Sequence, residues 1–163
     1  CYNMDSYIFY KKFMNDLRGD QAMYFEGDIP SFSPSLKHQA NNGGAVWADA
    51  GTIIPWNIYM NYGDQYMLNQ FYPMMKDYVE NLIKTDIEQG NENLILQGFT
   101  FGDWLALDGK DPRRSAGGTD NGFIMSVYYF HSVELIALAA NELGRKNDFT
   151  KYTDLKNRIY TAL

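Results

Sequence analysis

Cysteine is nearly absent from this sequence: Cys1 is the only one among 163 residues. A single thiol excludes an internal disulfide framework but does not fix a compartment. A leading cysteine also raises the idea of a lipid anchor. Such anchors are usually followed by a flexible polar tether, whereas Tyr2 to Leu17 reads directly as helix. Histidine is almost as scarce, with only His38 and His131, so no metal-ligand spacing exists. Positive charge is in deficit as well. Fourteen Lys and Arg against twenty Asp and Glu leave a net charge of −6, with no basic stripe to neutralise phosphates, which excludes a nucleic-acid partner. The one adjacent arginine pair, Arg113-Arg114, sits in a glycine-rich stretch and reads as solvated loop. No continuous apolar run reaches the length of a membrane span, and no signal peptide opens the chain, so no membrane partner is expected. Gly-x-Ser-x-Gly elbows and phosphate-binding glycine loops are missing too.

What the sequence has in quantity is aromatic: 13 Tyr, 10 Phe and 3 Trp, within a 45% hydrophobic composition typical of a globular chain. Aromatic cores account for part of this. Carbohydrate sites use the same side chains, because a flat ring packs against the C–H face of a pyranose while polar neighbours bond its hydroxyls.

The order of elements is legible from periodicity and punctuation. Phe9, Phe13 and Leu17 at i, i+4, i+8 predict an amphipathic helix stopped by Gly19. Periodicity then vanishes to about Val46, through Gly27-Asp28, Pro30, Pro34 and Asn41-Asn42-Gly43-Gly44, which is loop chemistry. Trp47, Gly51, Ile54 and Ile58 resume helical spacing, with Ile53, Trp56 and Tyr59 on other faces. Such an all-round apolar helix belongs in an interior layer. A start near Asp49 would put Pro55 inside it and kink it, whereas a Thr52 cap would leave Pro55 in the first turn. After a turn at Tyr62-Gly63-Asp64, Leu68, Phe71, Met75, Tyr78 and Leu82 mark its partner, which Pro73 is expected to divide. A second long loop covers Gly90 to about Gly118. Ile124, Val127, Tyr128, His131, Leu135 and Leu138 then give a helix capped by Thr119 or Asp120 and ended by Gly144. Phe149, Tyr152, Leu155 and Ile159 mark the last helix.

The layout is long loop, helix hairpin, long loop, helix hairpin, with Gly-Asp in each long loop. Helix pairs joined alternately by short and long links arrange as a double ring with the long links on one face, where a site forms. The expected fold is therefore all-α, a partial helical toroid. A helix with no lead-in at Cys1 and none of the usual stop signals at Leu163 reads as a single partial domain, residues 1–163, cut at both ends. Open ring edges of that kind expose apolar faces and favour self-association.

The run Ala45-Val46-Trp47-Ala48-Asp49-Ala50, followed by Ile54-Pro55-Trp56 and Tyr62-Gly63-Asp64, resembles the bacterial α-L-rhamnosidases of glycoside hydrolase family 78. Gly27-Asp28-Ile29-Pro30, Tyr72-Pro73-Met74-Met75-Lys76, Gly102-Asp103-Trp104-Leu105-Ala106 and Thr119-Asp120 match in the same order and at similar spacing. The resemblance implies an (α/α)6 barrel and an inverting hydrolase that releases terminal α-L-rhamnose from a glycoside, with water as second substrate and no cofactor. Inversion needs an acid and a base carboxyl group about 6.5–9.5 Å apart. In the family both are glutamates, one in a motif that would precede the first helix here and one well downstream, so no catalytic residue is expected within the chain. The residues that carry over bind substrate: Trp47 and Trp104 as walls of the rhamnose pocket, with Asp49 and Asp103 beside them. Ser31 stands where the family often has Asp.

Each of these has a plainer reading. Trp47 and Trp104 suit a core, Asp49 a helix N-cap, and Asp103 a turn. Near a helix N-terminus the Asp49 carboxylate is expected to be favoured in its ionised form. His131, on an apolar stripe, reads as a core histidine, and Glu26, Asp28, Glu92, Asp108 and Asp111 as solvated loop charge. The rival functions are a non-catalytic carbohydrate-binding or helical-repeat unit and a helical protein-interaction module.

Overall fold

The structure is a computed structural model that describes residues 4–35, 43–90, 96–98, 100–106, 108–109 and 117–163. His38, Glu92, Asp111 and the Arg113-Arg114 pair lie outside them. Five helices account for the regular structure of the described residues: α1 (Tyr7–Tyr24), α2 (Ala50–Tyr62), α3 (Gln65–Glu88), α4 (Asn121–Glu142) and α5 (Lys146–Ala162). Among the described residues there is no strand. The chain is thus all-α, a leading helix followed by two hairpins.

The helices form two rows. α2 packs on α1, α3 and α4, while α4 packs on α2, α3 and α5, so the two apolar helices make an inner row. α1, α3 and α5 form the outer row, clasped by polar side chains. Arg18 Nη1 donates to the Gln70 carbonyl at 2.9 Å between α1 and α3. Between α3 and α5, Lys76 pairs with Asp148 at 3.0 Å, and the Tyr72 and Tyr152 hydroxyls donate to Asp148 and Glu80 at 2.8 and 2.6 Å. One continuous core runs between the rows, centred on Phe71, Tyr72, Met75, Tyr78, Tyr129 and Ile136.

The turns follow local chemistry. Asp64 caps α3 by accepting the Met67 N–H at 3.0 Å, and Asp120 caps α4 through Phe123 at 2.9 Å. Gly63 and Gly144 take the left-handed conformation that closes a helix C-terminus. The two tight turns share one end of the arc, where Gln65 Nε2 donates to the Glu142 carbonyl at 2.7 Å. The long loops share the other: Thr100 Oγ1 donates to the Ala45 carbonyl at 2.8 Å.

Several expectations are corrected. α1 does not stop at Gly19 but runs to Tyr24. A mid-helix glycine costs only about 1 kcal/mol, and the extra turn is anchored by buried bonds. Gln21 Nε2 donates to the Gly27 and Met74 carbonyls, and Asp20 accepts from Ser33 Oγ and Ser35 N. The buried stripe of α1 is correspondingly rotated to Met14, Leu17 and Gln21, leaving Phe9 63% exposed. α2 takes the start after Asp49, so Pro55 sits within the helix. α3 is uninterrupted at Pro73. Proline there forfeits a hydrogen bond at a cost of about 3 kcal/mol, but Phe71, Tyr72, Met74 and Met75 around it are all buried and hold the helix through.

α4 differs in its buried face, which carries Met125, Tyr129, Val133, Ile136 and Ala140. The other stripe is only half-covered, with Leu138 exposed. His131 is accordingly no core histidine: its side chain is 43% exposed and its Nδ1 lies 3.8 Å from Glu134. By length and composition α4 is apolar enough to cross a bilayer, although no unbroken apolar run within it reaches that length. In the fold it is an inner helix, with over half of its most apolar stretch buried.

Candidate active site

The loop between α1 and α2 is built inward from Ile29. Its side chain is fully buried, and it lies so close to Gly51 that a Cβ there would stand 2.9 Å from Ile29 Cγ1. The Ile29 carbonyl accepts the Gly43 N–H at 2.7 Å, which brings the loop back to the start of α2. Turn geometry then covers residues 45–49, with Val46 at φ +82°. That conformation is an outlier for a β-branched residue. The Val46 N–H donates to a carboxylate there, Asp49 Oδ2, at 2.7 Å.

Asp49 itself is completely buried. Ser132 Oγ, from α4, donates to its Oδ1, and Thr52 Oγ1 lies 2.7 Å from Ser132 Oγ. The Tyr78 hydroxyl lies beside it without a hydrogen bond of ordinary geometry. Burial raises the Asp49 carboxyl to about 6, against the opposing effect of the Ser132 and Val46 bonds. The shift thus runs opposite to the one expected from the helix N-terminus. Asp49 occupies the N-cap position, yet its side chain makes no capping bond and points back to Val46. Removal from water outweighs the helix dipole.

The second loop supplies the facing wall. Gly102 N–H donates to Thr100 Oγ1 at 3.0 Å, and Thr100 is itself held by Ala45. Asp103 fastens the next turn. Its carbonyl accepts from Ala106 N and Gly117 N, and its carboxylate accepts the Thr119 N–H at 3.1 Å. Bonds from Thr119 hold the Asp103 carboxyl below the usual range. Trp104 projects from this turn, 48% exposed.

The two loops meet ring to ring. Trp47 lies 4.6 Å from Phe101 and 6.2 Å from Trp104, and Phe101 stacks on Trp104 at 5.3 Å with planes 13° apart. The result is a three-ring shelf on the long-loop face, with Trp104 its most exposed edge. The two tryptophans singled out in the sequence are thus brought together, while Asp49 lies buried at the start of α2 and Asp103 lies in the turn that carries Trp104. Phe101 was missed. It lies in an aperiodic loop, and its only signal was its place two residues before Asp103-Trp104. Asp28 is not solvated loop charge either: its Oδ1 accepts the Ile29 N–H at 2.7 Å, and burial raises its pKa. Among the described residues no group of three or more His, Cys, Asp or Glu side chains converges on a metal site.

Two rows of helix hairpins with an aromatic shelf on the long-loop face have close counterparts. All of residues 1–163 match the family described as the bacterial alpha-L-rhamnosidase 6 hairpin glycosidase domain. The chain belongs to that family. It is 35% identical over 155 residues to an alpha-L-rhamnosidase of Alteromonas sp., covering 93% of this chain. It is 32% identical over 162 residues to that of Streptomyces avermitilis, covering 99%. The chain spans only 16% and 14% of those relatives' lengths. In structure, it superposes on the Streptomyces avermitilis alpha-L-rhamnosidase complexed with L-rhamnose with a TM-score of 0.79, over 98% of this chain and 14% of that one. The native enzyme from Aspergillus terreus gives 0.79 at 25% identity, over 95% of this chain and 18% of that one. The all-α arc is therefore a partial (α/α)6 barrel of the six-hairpin glycosidase class.

Proposed function

We propose that this chain is the substrate-binding arc of an inverting α-L-rhamnosidase. Trp47 and Trp104 form the wall against which a terminal α-L-rhamnose packs, and the acid and base glutamates lie on parts of the barrel beyond the chain. The exposed Trp104 edge of the three-ring shelf, where both long loops converge, carries this reading. A pyranose offers a C–H face to an indole, and the neighbouring loop backbone offers polar partners for its hydroxyls. Asp103 serves by fixing the Trp104 turn, and Asp49 by underpinning Trp47.

The described carboxyl groups support placing the chemistry elsewhere. A general acid must reach the leaving oxygen with its proton still on. Asp49 has the raised pKa for that work but is sealed in the core. Asp103, beside the shelf, is held in the ionised form by Thr119. Water completes the reaction, and no cofactor enters it.

The test is hydrolysis of an aryl α-L-rhamnoside by the full-length enzyme and its Trp104→Ala variant. Loss of one stacking wall, about 1.4 kcal/mol, raises KM about tenfold. An unchanged KM in a folded variant would remove Trp104 from the site.

A further inference from the structure

Asp49 raises a question of its own, because a completely buried carboxyl group is an expensive way to begin a helix. What it does geometrically is link three elements. One oxygen takes the hydroxyl of Ser132 on α4, and the other takes the backbone N–H of Val46 at 2.7 Å. Asp49 itself opens α2, and Thr52 on that helix closes the triangle by meeting Ser132 at 2.7 Å. Val46 is the residue before Trp47, and its φ of +82° is one that a β-branched side chain adopts only when its surroundings over-determine it. The backbone direction at Val46 sets where the Trp47 ring goes, and that ring packs on Phe101 of the other loop at 4.6 Å.

We propose that Asp49 is a positioning residue for the sugar-binding shelf: from the inner helices it holds Val46 in the left-handed conformation and so aims Trp47 at Phe101 and Trp104. The proposal rests on the shelf reading given above. It assigns Asp49 no contact with sugar, which its complete burial forbids. Without the carboxylate, the Val46 N–H loses its acceptor and nothing offsets the strain at φ +82°. The Val46 backbone then relaxes to negative φ, Trp47 swings away, and the shelf opens.

Two features separate this role from ordinary core stability. First, Asp49 and Trp47 act in series, so their losses must not add. Second, the defect lies in one backbone angle, so a residue that accepts that angle freely must repair it. Glycine does so without penalty.

The experiment measures L-rhamnose binding by titration calorimetry on the full-length enzyme. Asp49→Ala and Trp47→Ala are each expected to weaken it about tenfold, and the double variant no more than Trp47→Ala alone. Val46→Gly placed in the Asp49→Ala background is expected to recover most of the loss. Additive losses, or no recovery with Val46→Gly in a protein whose circular dichroism is intact, would overturn the proposal. If Asp49→Ala does not fold, Ser132→Ala replaces it, since it removes the anchor of the carboxylate and leaves the rest of the core. A several-fold loss that Val46→Gly repairs supports the role, and a loss it leaves untouched refutes it. Unaltered binding in Trp47→Ala would instead sink the shelf reading and the Asp49 role with it, whereas a weakened Trp47→Ala beside an unaffected Asp49→Ala sinks only the latter.

Discussion

Replacing Asp49 by Asn removes a charge that the folded chain can form only inside its core. The replacement fits the site. An amide oxygen can accept the Val46 N–H, and the amide N–H can donate to Ser132 Oγ. That hydroxyl then turns to Thr52 Oγ1, whose own hydrogen bonds the residue 49 carbonyl. Removal from water raises the carboxyl from 3.8 to about 6, against the Ser132 and Val46 bonds, which favour the ionised form. The sign follows from proton counting. Below about pH 4 the acid is neutral folded and unfolded, so no penalty exists. Between about 4 and 6 the unfolded chain has released the proton and the folded chain still holds it, so native stability falls as pH rises; above 6 the loss is complete. Two pH units correspond to about 3 kcal/mol, an order-of-magnitude figure. Asp49→Asn has no such step. Carboxylates with lowered pKa, such as Asp64 and Asp148, gain stability in the opposite direction but do so equally in both proteins. The difference in midpoint between variant and wild type should therefore grow in favour of the variant from pH 4 to pH 7, by roughly 5–10 °C for a domain of this size. Thermal unfolding by circular dichroism across that range measures it. A difference independent of pH, or one that grows in favour of the wild type, would refute the reasoning.

Two further outcomes are expected. The isolated chain should release no aryl group from an aryl α-L-rhamnoside at a rate near that of the full-length enzyme, because acid and base assistance each supply on the order of 10²–10⁴-fold and shelf contacts bind substrate and transition state alike. Comparable turnover would show that carboxylates inside the chain do the chemistry. The isolated chain should also self-associate through Ile8 and Phe9 on one edge and Leu138, Phe149 and Tyr160 on the other, all exposed. Light scattering from a monomer that binds no hydrophobic dye would contradict this.

The double-row layout was legible because glycine, proline and Asx residues mark every turn and because Trp47 to Ile58 is apolar on all sides. What escaped the sequence depends on tertiary contact. Gly19 and Pro73 look like breaks, but Gln21 and the aromatic residues around Pro73 bind strongly enough elsewhere to override them. The stripe on α4 from Ile124 to Leu138 has the right period but the wrong face, because an inner helix is apolar all round and its burial depends on which neighbours are present. At the site, Trp47 and Trp104 were visible as motif residues. Phe101 was not, since no periodicity marks a loop ring. Position beside a helix start suggested an Asp49 carboxyl that ionises easily; only the packing of α3 and α4 over it shows that burial raises its pKa instead.

A crystal structure of the full-length protein with L-rhamnose is the most direct measurement. The sugar ring is expected with its C–H face within about 4 Å of the Trp104 indole, on the shelf completed by Trp47 and Phe101. L-Rhamnose bound elsewhere in the barrel, with that shelf empty, would contradict the proposed site.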